Sequence, residues 1–310
     1  MRRFRMLALG ASVLALVLSA CSTGGGSSSS ASSSGSASKP KVIIGSANFY
    51  ESALVGEIYA QALEAKGFSV DRKFNFGTRA LTNAALKSGQ LNLMPEYIGS
   101  DATELKAKAT GDPQATFDAL KAALDPLGMT VLQFAPGADQ NGFAVRKETA
   151  DTLSLKTLSD AGKVANQLKW GLPPECSTNP SCGQALKDAY GVDITKVTWV
   201  KLAPCSAAMA TALNSKKVDI GEFCTTQPDI ARFNFVLLQD DKQSQSADNM
   251  APVLRNDLLA AGGSTLSDTL NAVSAKLTTD QLTQMGVKVD VNKENPATVA
   301  KQFLQDNGLI

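Results

Sequence analysis

The chain has 310 residues, with 30 Lys and Arg against 29 Asp and Glu, and 44% apolar against 19% charged residues. That length suits two lobes rather than one small core, and that balance suits a folded, water-soluble body rather than a disordered chain or a nucleic-acid surface, which would need a basic excess. The absence of histidine removes His metal sites, Ser-His-Asp and Cys-His nucleophile systems and His acid–base chemistry, leaving Asp, Glu, Lys, Tyr and Cys as possible catalysts.

Residues 1–20 read as an export signal. Arg2, Arg3 and Arg5 precede an apolar run from Met6 to Leu18, too short for a good membrane span. The junction Leu18-Ser19-Ala20-Cys21 resembles a bacterial lipobox, which implies cleavage before Cys21 and a lipid on its thiol. Without its first 20 residues the chain keeps 27 basic and 29 acidic side chains, a net of −2. Residues 21–40 read as a lipid-anchored Ser/Gly tether, whose 17-residue stretch STGGGSSSSASSSGSAS reaches roughly 20–25 Å. The protein is therefore expected on the extracytoplasmic face of a bacterial membrane, held there through Cys21.

From Lys41 onward short apolar runs alternate with helical patterns. Strands are predicted at 42–45, 68–74, 91–94 (stopped by Pro95), 129–134 and 142–146, with helices at 52–66 (stopped by Gly67), 80–87 and 115–124. The second half repeats the rhythm. Strands are predicted at 169–172, 196–201, 218–222 and 233–238, helices at 184–190 and 207–214, and an extended segment at 251–256. The C-terminus is helical, with Leu266, Leu270, Val273 and Leu277 on one face and Pro296 opening a last helix. The alternation predicts an α/β fold with helices on both faces of a sheet.

Besides Cys21 there are four cysteines, Cys176, Cys182, Cys205 and Cys224. In an exported chain four cysteines favour two disulfides, with three possible connectivities. Cys176 and Cys182 flank a turn-rich loop that closes easily, so the predicted pairs are Cys176–Cys182 and Cys205–Cys224. No CxxC spacing is present, and neither a metal site nor a cofactor is expected.

Several segments resemble the substrate-binding lipoproteins of quaternary-amine ABC importers, which carry glycine betaine, choline, carnitine or proline betaine. They are the IGS-x-NF-x-E start, the EAKGF turn, the ALKSGQLNL run and the PEYIGS element within 41–101. GFAVR (142–146), KDAYGVD (187–193), ALNSKKVDIGEFCTT (212–226), VLLQDDK (236–242) and KQFLQDNGLI (301–310) continue the resemblance. It implies a two-lobe clamp joined by two crossovers, with lobe one at 41–138 plus 248–310 and lobe two at 139–247. It further implies a small-molecule solute between the lobes, a membrane permease as partner, no chemistry, no nucleic acid and a monomer.

A quaternary ammonium donates no hydrogen bond, so aromatic faces and nearby negative charge must hold it. Tyr97 in PEYIGS matches one tyrosine of the family's aromatic box, with Ser100 beside it. Asp139 matches a family aspartate. Asn141, Cys224 and Asp248 or Asn249 stand where further box tyrosines are usual, Asn179 near the usual carboxylate-binding arginine, and Ala47 where a lysine is common. Tyr59 and Tyr190 read as structural, and Phe49 or Trp170 as possible substitute faces. With Thr225 and Thr226, these residues describe a polar cleft that would hold betaine weakly. The same clamp retuned to a polar or aromatic hydroxylated ligand, an extracytoplasmic enzyme with acids such as Glu96 and Asp101, and a vestigial cleft all stay open.

Overall fold

The strand Val42–Ala47 (β1) leads into the helix Tyr50–Ala65 (α1), whose Leu54, Val55, Ile58, Tyr59, Ala62 and Leu63 are buried. The computed structural model describes residues 39–310, the side chains of Pro180 and Ser181 excepted. The expected signal peptide, Cys21 and nearly all of the expected tether lie outside the described residues. After Gly67, at φ +82° as a left-handed helix stop requires, come Val70–Gly77 (β2), Arg79–Ser88 (α2), Leu93–Tyr97 (β3), Ile98–Glu104 (α3), Pro113–Leu124 (α4) and Met129–Val131 (β4). Asp112 caps α4 by accepting from the backbone of Gln114 and Ala115.

The chain then passes to a second sheet through Asn141–Arg146 (β5), Lys147–Leu153 (α5), Leu158–Lys163 (α6), Trp170–Leu172 (β6), Ala185–Tyr190 (α7), Trp199–Lys201 (β7), Ala207–Asn214 (α8), Ile220–Cys224 (β8), Pro228–Arg232 (α9) and Phe235–Leu238 (β9). It returns through Met250–Arg255 (β10) and finishes with Asn256–Ser274 (α10, kinked at Gly263), Thr279–Gly286 (α11) and Pro296–Asp306 (α12).

The two five-stranded sheets have the orders β2-β1-β3-β10-β4 and β7-β6-β8-β5-β9. In each, four strands run in one direction and the strand fourth in that order, the first to follow a crossover, runs antiparallel to both its neighbours. The α/β, two-lobe clamp is the observed architecture.

Two expectations differ in detail. The strand predicted to stop at Pro95 runs through it to Tyr97, with Pro95 opposite Pro252. Pro252 turns its carbonyl to Leu132 N on the β4 side, at 3.0 Å. The two prolines therefore meet at a position where the β3–β10 ladder makes no hydrogen bond, so that ladder loses none, and the missing donor of Pro252 falls on the β4 side. The short helices α3, α5, α6, α9 and α11 were not anticipated, since one or two turns carry too little periodicity to register.

Both expected disulfides are formed, Cys176–Cys182 and Cys205–Cys224. Trp170 is fully buried, edge-on to Phe143, with its indole N–H on Ala165 O at 3.1 Å, and belongs to the core. Tyr59 and Tyr190 are structural too. Their hydroxyls engage Ser274 and Asp240 respectively.

Candidate functional site

The two crossovers pair with each other. Asp139 N donates to Asp248 O at 3.0 Å, Met250 N to Gly137 O at 3.2 Å, and Ala138 bridges Asn249. Thr225 fastens this two-stranded joint to the end of β8. Its hydroxyl donates to Ala138 O at 2.7 Å and accepts from Gln140 N at 3.0 Å. Thr226 N donates to Asp139 Oδ1 at 3.2 Å, and Asn249 Nδ2 donates to Ala135 O at 2.9 Å. The joint places Asp139 and Asp248 side by side at the mouth between the sheets.

A cavity of about 520 Å³ opens there, walled by Phe49, Arg79, Tyr97 and Ser100 from the first sheet's body and by Asp139, Asn141 and Cys224 from the second. A second compartment of about 350 Å³ shares Phe49, Tyr97, Asp139 and Cys224 with it, and adds Tyr50, Glu51, Thr226 and Arg232. Phe49, Tyr50 and Glu51 are consecutive because α1 starts at the cleft, with Phe49 as its N-cap. Tyr97 arrives there because β3 ends at the cleft and α3 follows at once. Gly99 keeps the return crossover close. A Cβ there would lie 2.4 Å from Ala247 O, and this approach lets Asp248 accept from Ser100 N at 2.7 Å and Ser100 Oγ at 2.5 Å.

The rings of Phe49 and Tyr97 stack, with centroids 5.9 Å apart and planes 24° from parallel. Phe49 is 38% exposed, which for a phenylalanine marks a face offered to the cavity. The Tyr97 hydroxyl donates to Glu51 Oε1, and Glu51 Oε2 is buried with no hydrogen-bond partner.

The cleft is acidic. Burial, and then the neighbouring Asp139, push the Glu51 carboxyl well above its usual range. Burial raises Asp139 against the hydrogen bonds from Thr226, and raises Asp248 to about 6 against those from Ser100. Carboxylates held above their ordinary range by desolvation gain their charge readily when a cation enters beside them.

Of the residues singled out from sequence, Tyr97, Ser100, Phe49, Asp139, Asn141, Asp248 and Cys224 line the larger compartment, and Thr226 the smaller. Thr225 and Asn249 fasten the crossovers instead. Asn179 lies in the loop closed by the Cys176–Cys182 disulfide and lines neither compartment. Glu51, Tyr50 and Arg79 escaped notice. Glu51 is the acid of the NF-x-E motif, so its signal was present. Arg79 opens an ordinary-looking helix, with nothing in the pattern to set it apart.

A family model described as the substrate binding domain of an ABC-type glycine betaine transport system, OpuAC, matches residues 40–306. The chain belongs to this family. As an OpuAC protein it is the solute-binding component of a glycine betaine-type ABC transport system and delivers its solute to the system's permease. Similar proteins include the carnitine transport binding protein OpuCC of Listeria monocytogenes, 27% identical over 298 residues, covering 94% of this chain and 92% of that one. The glycine-betaine-binding protein of Pseudomonas aeruginosa is 24% identical over 279 residues, covering 86% and 88%. A crystal structure of a glycine betaine/carnitine/choline ABC transporter protein superposes with a TM-score of 0.79 at 25% identity, covering 87% of this chain and 99% of that one.

Proposed function

We propose that this OpuAC protein captures a quaternary amine of the glycine betaine, carnitine and choline class in the cleft between lobe one (41–138 plus 248–310) and lobe two (139–247), without chemical turnover. The observation that carries the reading is the stacked Phe49–Tyr97 pair with Glu51 and Asp139 in the same walls. Aromatic faces each contribute ~0.5–2 kcal/mol to a cation that cannot donate hydrogen bonds, and carboxylates beside them supply the counter-charge. Phe49 takes up part of the role of the tyrosines that the sequence lacks. A solute touching both lobes favours the closed clamp by its differential affinity for it. Lipid attachment at Cys21, supported by the LSAC junction, would hold the clamp at the extracytoplasmic face, where it works as a monomer.

The test is calorimetry on the full chain with glycine betaine, carnitine, choline and a hydroxylated aromatic compound, with solute recovery followed by NMR. Binding of a quaternary amine with the solute recovered unchanged supports the reading. Binding of the aromatic compound alone would favour a retuned cleft, drawn to the polar wall of Ser100, Gln140, Asn141 and Gln245. Consumption of solute would make the protein an enzyme. Cys21→Ala should free the chain from membranes or leave its signal uncleaved.

A further inference from the structure

Glu51 stands in the first turn of α1 and in the wall of the smaller compartment, yet it is only 3% exposed. Its Oε1 accepts from the Tyr97 hydroxyl, while its Oε2 is buried with no partner among the described residues. An ionised Glu51 would hold its charge with one oxygen stripped of both water and donors. A protonated Glu51 carries its hydrogen on that oxygen and leaves only an uncharged group unsatisfied, which costs far less.

The groups around Glu51 decide which form the empty cleft holds. Tyr50 comes from α1 itself and Tyr97 from β3, and burial pushes both hydroxyls above their ordinary range, so both stay neutral. Asp229 and Arg232 come from α9 and pair with each other at 3.6 Å. Asp290, from the segment after α11, pairs with Lys293 at 3.3 Å. Asp139 and Asp248 come from the joint, and each has donors for its charge, Thr226 N on the first and Ser100 on the second. Arg79, in the wall of the larger compartment, donates to Glu96 Oε2 at 2.9 Å. Glu51 is left with a like-charged neighbour, Asp139, and with no cation paired to it. Burial, and then Asp139, push its carboxyl up to about 8.

We propose that Glu51 holds a proton in the empty cleft and exchanges it for the solute's quaternary ammonium, so that capture releases the proton to solvent and tightens as the pH rises. This rests on the quaternary-amine cargo proposed above. The ring and the hydroxyl of Tyr97 belong to one side chain, so a cation on the Phe49–Tyr97 faces lies within a ring's length of the carboxyl that the hydroxyl holds. Positive charge there favours the ionised acid, and the positive end of the α1 dipole adds to it. The O–H bond on Oε2 breaks, its electron pair stays on the carboxylate, and the proton passes to water. Binding therefore strengthens through the range below about 8 and levels off above it, where the empty cleft has already lost the proton.

The experiment is calorimetry on the full chain with choline and glycine betaine, each titrated at pH 7 in phosphate and in Tris, whose different heats of ionisation reveal the protons released. The parent should release roughly half to one proton per solute bound, and its affinity should rise roughly 3- to 10-fold per pH unit between about pH 6 and 7.5. Glu51→Gln, neutral at every pH and still an acceptor for the Tyr97 hydroxyl, should release little or no proton at pH 7 and bind with a nearly flat pH profile. Tyr97→Phe keeps the ring but removes the donor to Glu51 Oε1, so the rise in affinity should move to higher pH. Infrared difference spectra of the parent, in which the band of a protonated carboxyl disappears on adding choline, give a readout that does not depend on either variant folding. Binding by the parent without proton release, or release that Glu51→Gln leaves unchanged, overturns the proposal while leaving the cargo class standing. A parent that binds neither probe overturns the cargo class and this assignment with it.

Discussion

Tyr97 donates its hydroxyl to Glu51 Oε1 while its ring lies against Phe49, so one side chain ties the end of β3 to the start of α1 and presents an aromatic face between them. The two functions are separable. Tyr97→Ala removes face and hydroxyl together and should weaken binding of a quaternary amine roughly 3- to 30-fold, the range expected of one aromatic face. Tyr97→Phe keeps the face but leaves the buried Glu51 without its donor, so it should weaken binding less while lowering the melting temperature of the unliganded protein. Calorimetry and thermal melts on the two variants check this. If Tyr97→Ala binds glycine betaine as the parent does, the ring is not part of the site.

The two disulfides occupy different environments. Cys176 and Cys182 are both fully buried, whereas Cys205 and Cys224 form part of the cleft wall and are partly exposed. Thiol–disulfide exchange requires an attacking thiolate to reach a sulfur. Under native conditions a reductant should therefore open Cys205–Cys224 first, and a bound solute should slow that step by filling the cavity. Alkylation at timed intervals followed by peptide mass spectrometry reads both bonds at once. Equal labelling of all four cysteines from the earliest times would contradict the expectation.

Much of this site was legible because its residues stand at element ends that local patterns mark. Tyr97 closes an apolar run, Asp139 and Asp248 lie in the crossovers of a clamp, and Phe49 sits in the NF-x-E motif. What could not be read was the company these residues keep. Glu51 meets Tyr97 across 46 positions of sequence, and Arg79 is aimed by a carboxylate 17 positions away. Neither pairing leaves a periodic trace. Asn179 lies in a loop whose register the sequence does not fix, between the two cysteines of the Cys176–Cys182 disulfide, and it lines neither compartment. Pro95 reads as a strand end because a proline removes a donor, but opposite Pro252 it stands where the β3–β10 ladder needs none.

Glu222, in β8 of the second sheet, is 2% exposed, and its Oε2 lies 3.3 Å from Cys182 Sγ. A disulfide sulfur carries no hydrogen, so only a protonated carboxyl can donate across this contact. Burial, and then the negative charge of Glu175, push the group up to about 7 from an ordinary value of 4.5. Between those two values the folded protein keeps a proton that the unfolded chain has released. This group's contribution to stability therefore falls as the pH rises through that window and is lowest above it. Glu222→Gln supplies a neutral donor of similar shape at every pH. It should leave the melting temperature near the parent's at pH 4.5 and raise it by several degrees at pH 8.5, corresponding to at most about 3 kcal/mol. Melting curves of parent and variant taken at pH 4.5, 6, 7 and 8.5 measure the difference directly. Two curves that stay parallel across the whole range would mean that Glu222 is ionised in the folded protein, and that something other than its own proton satisfies it.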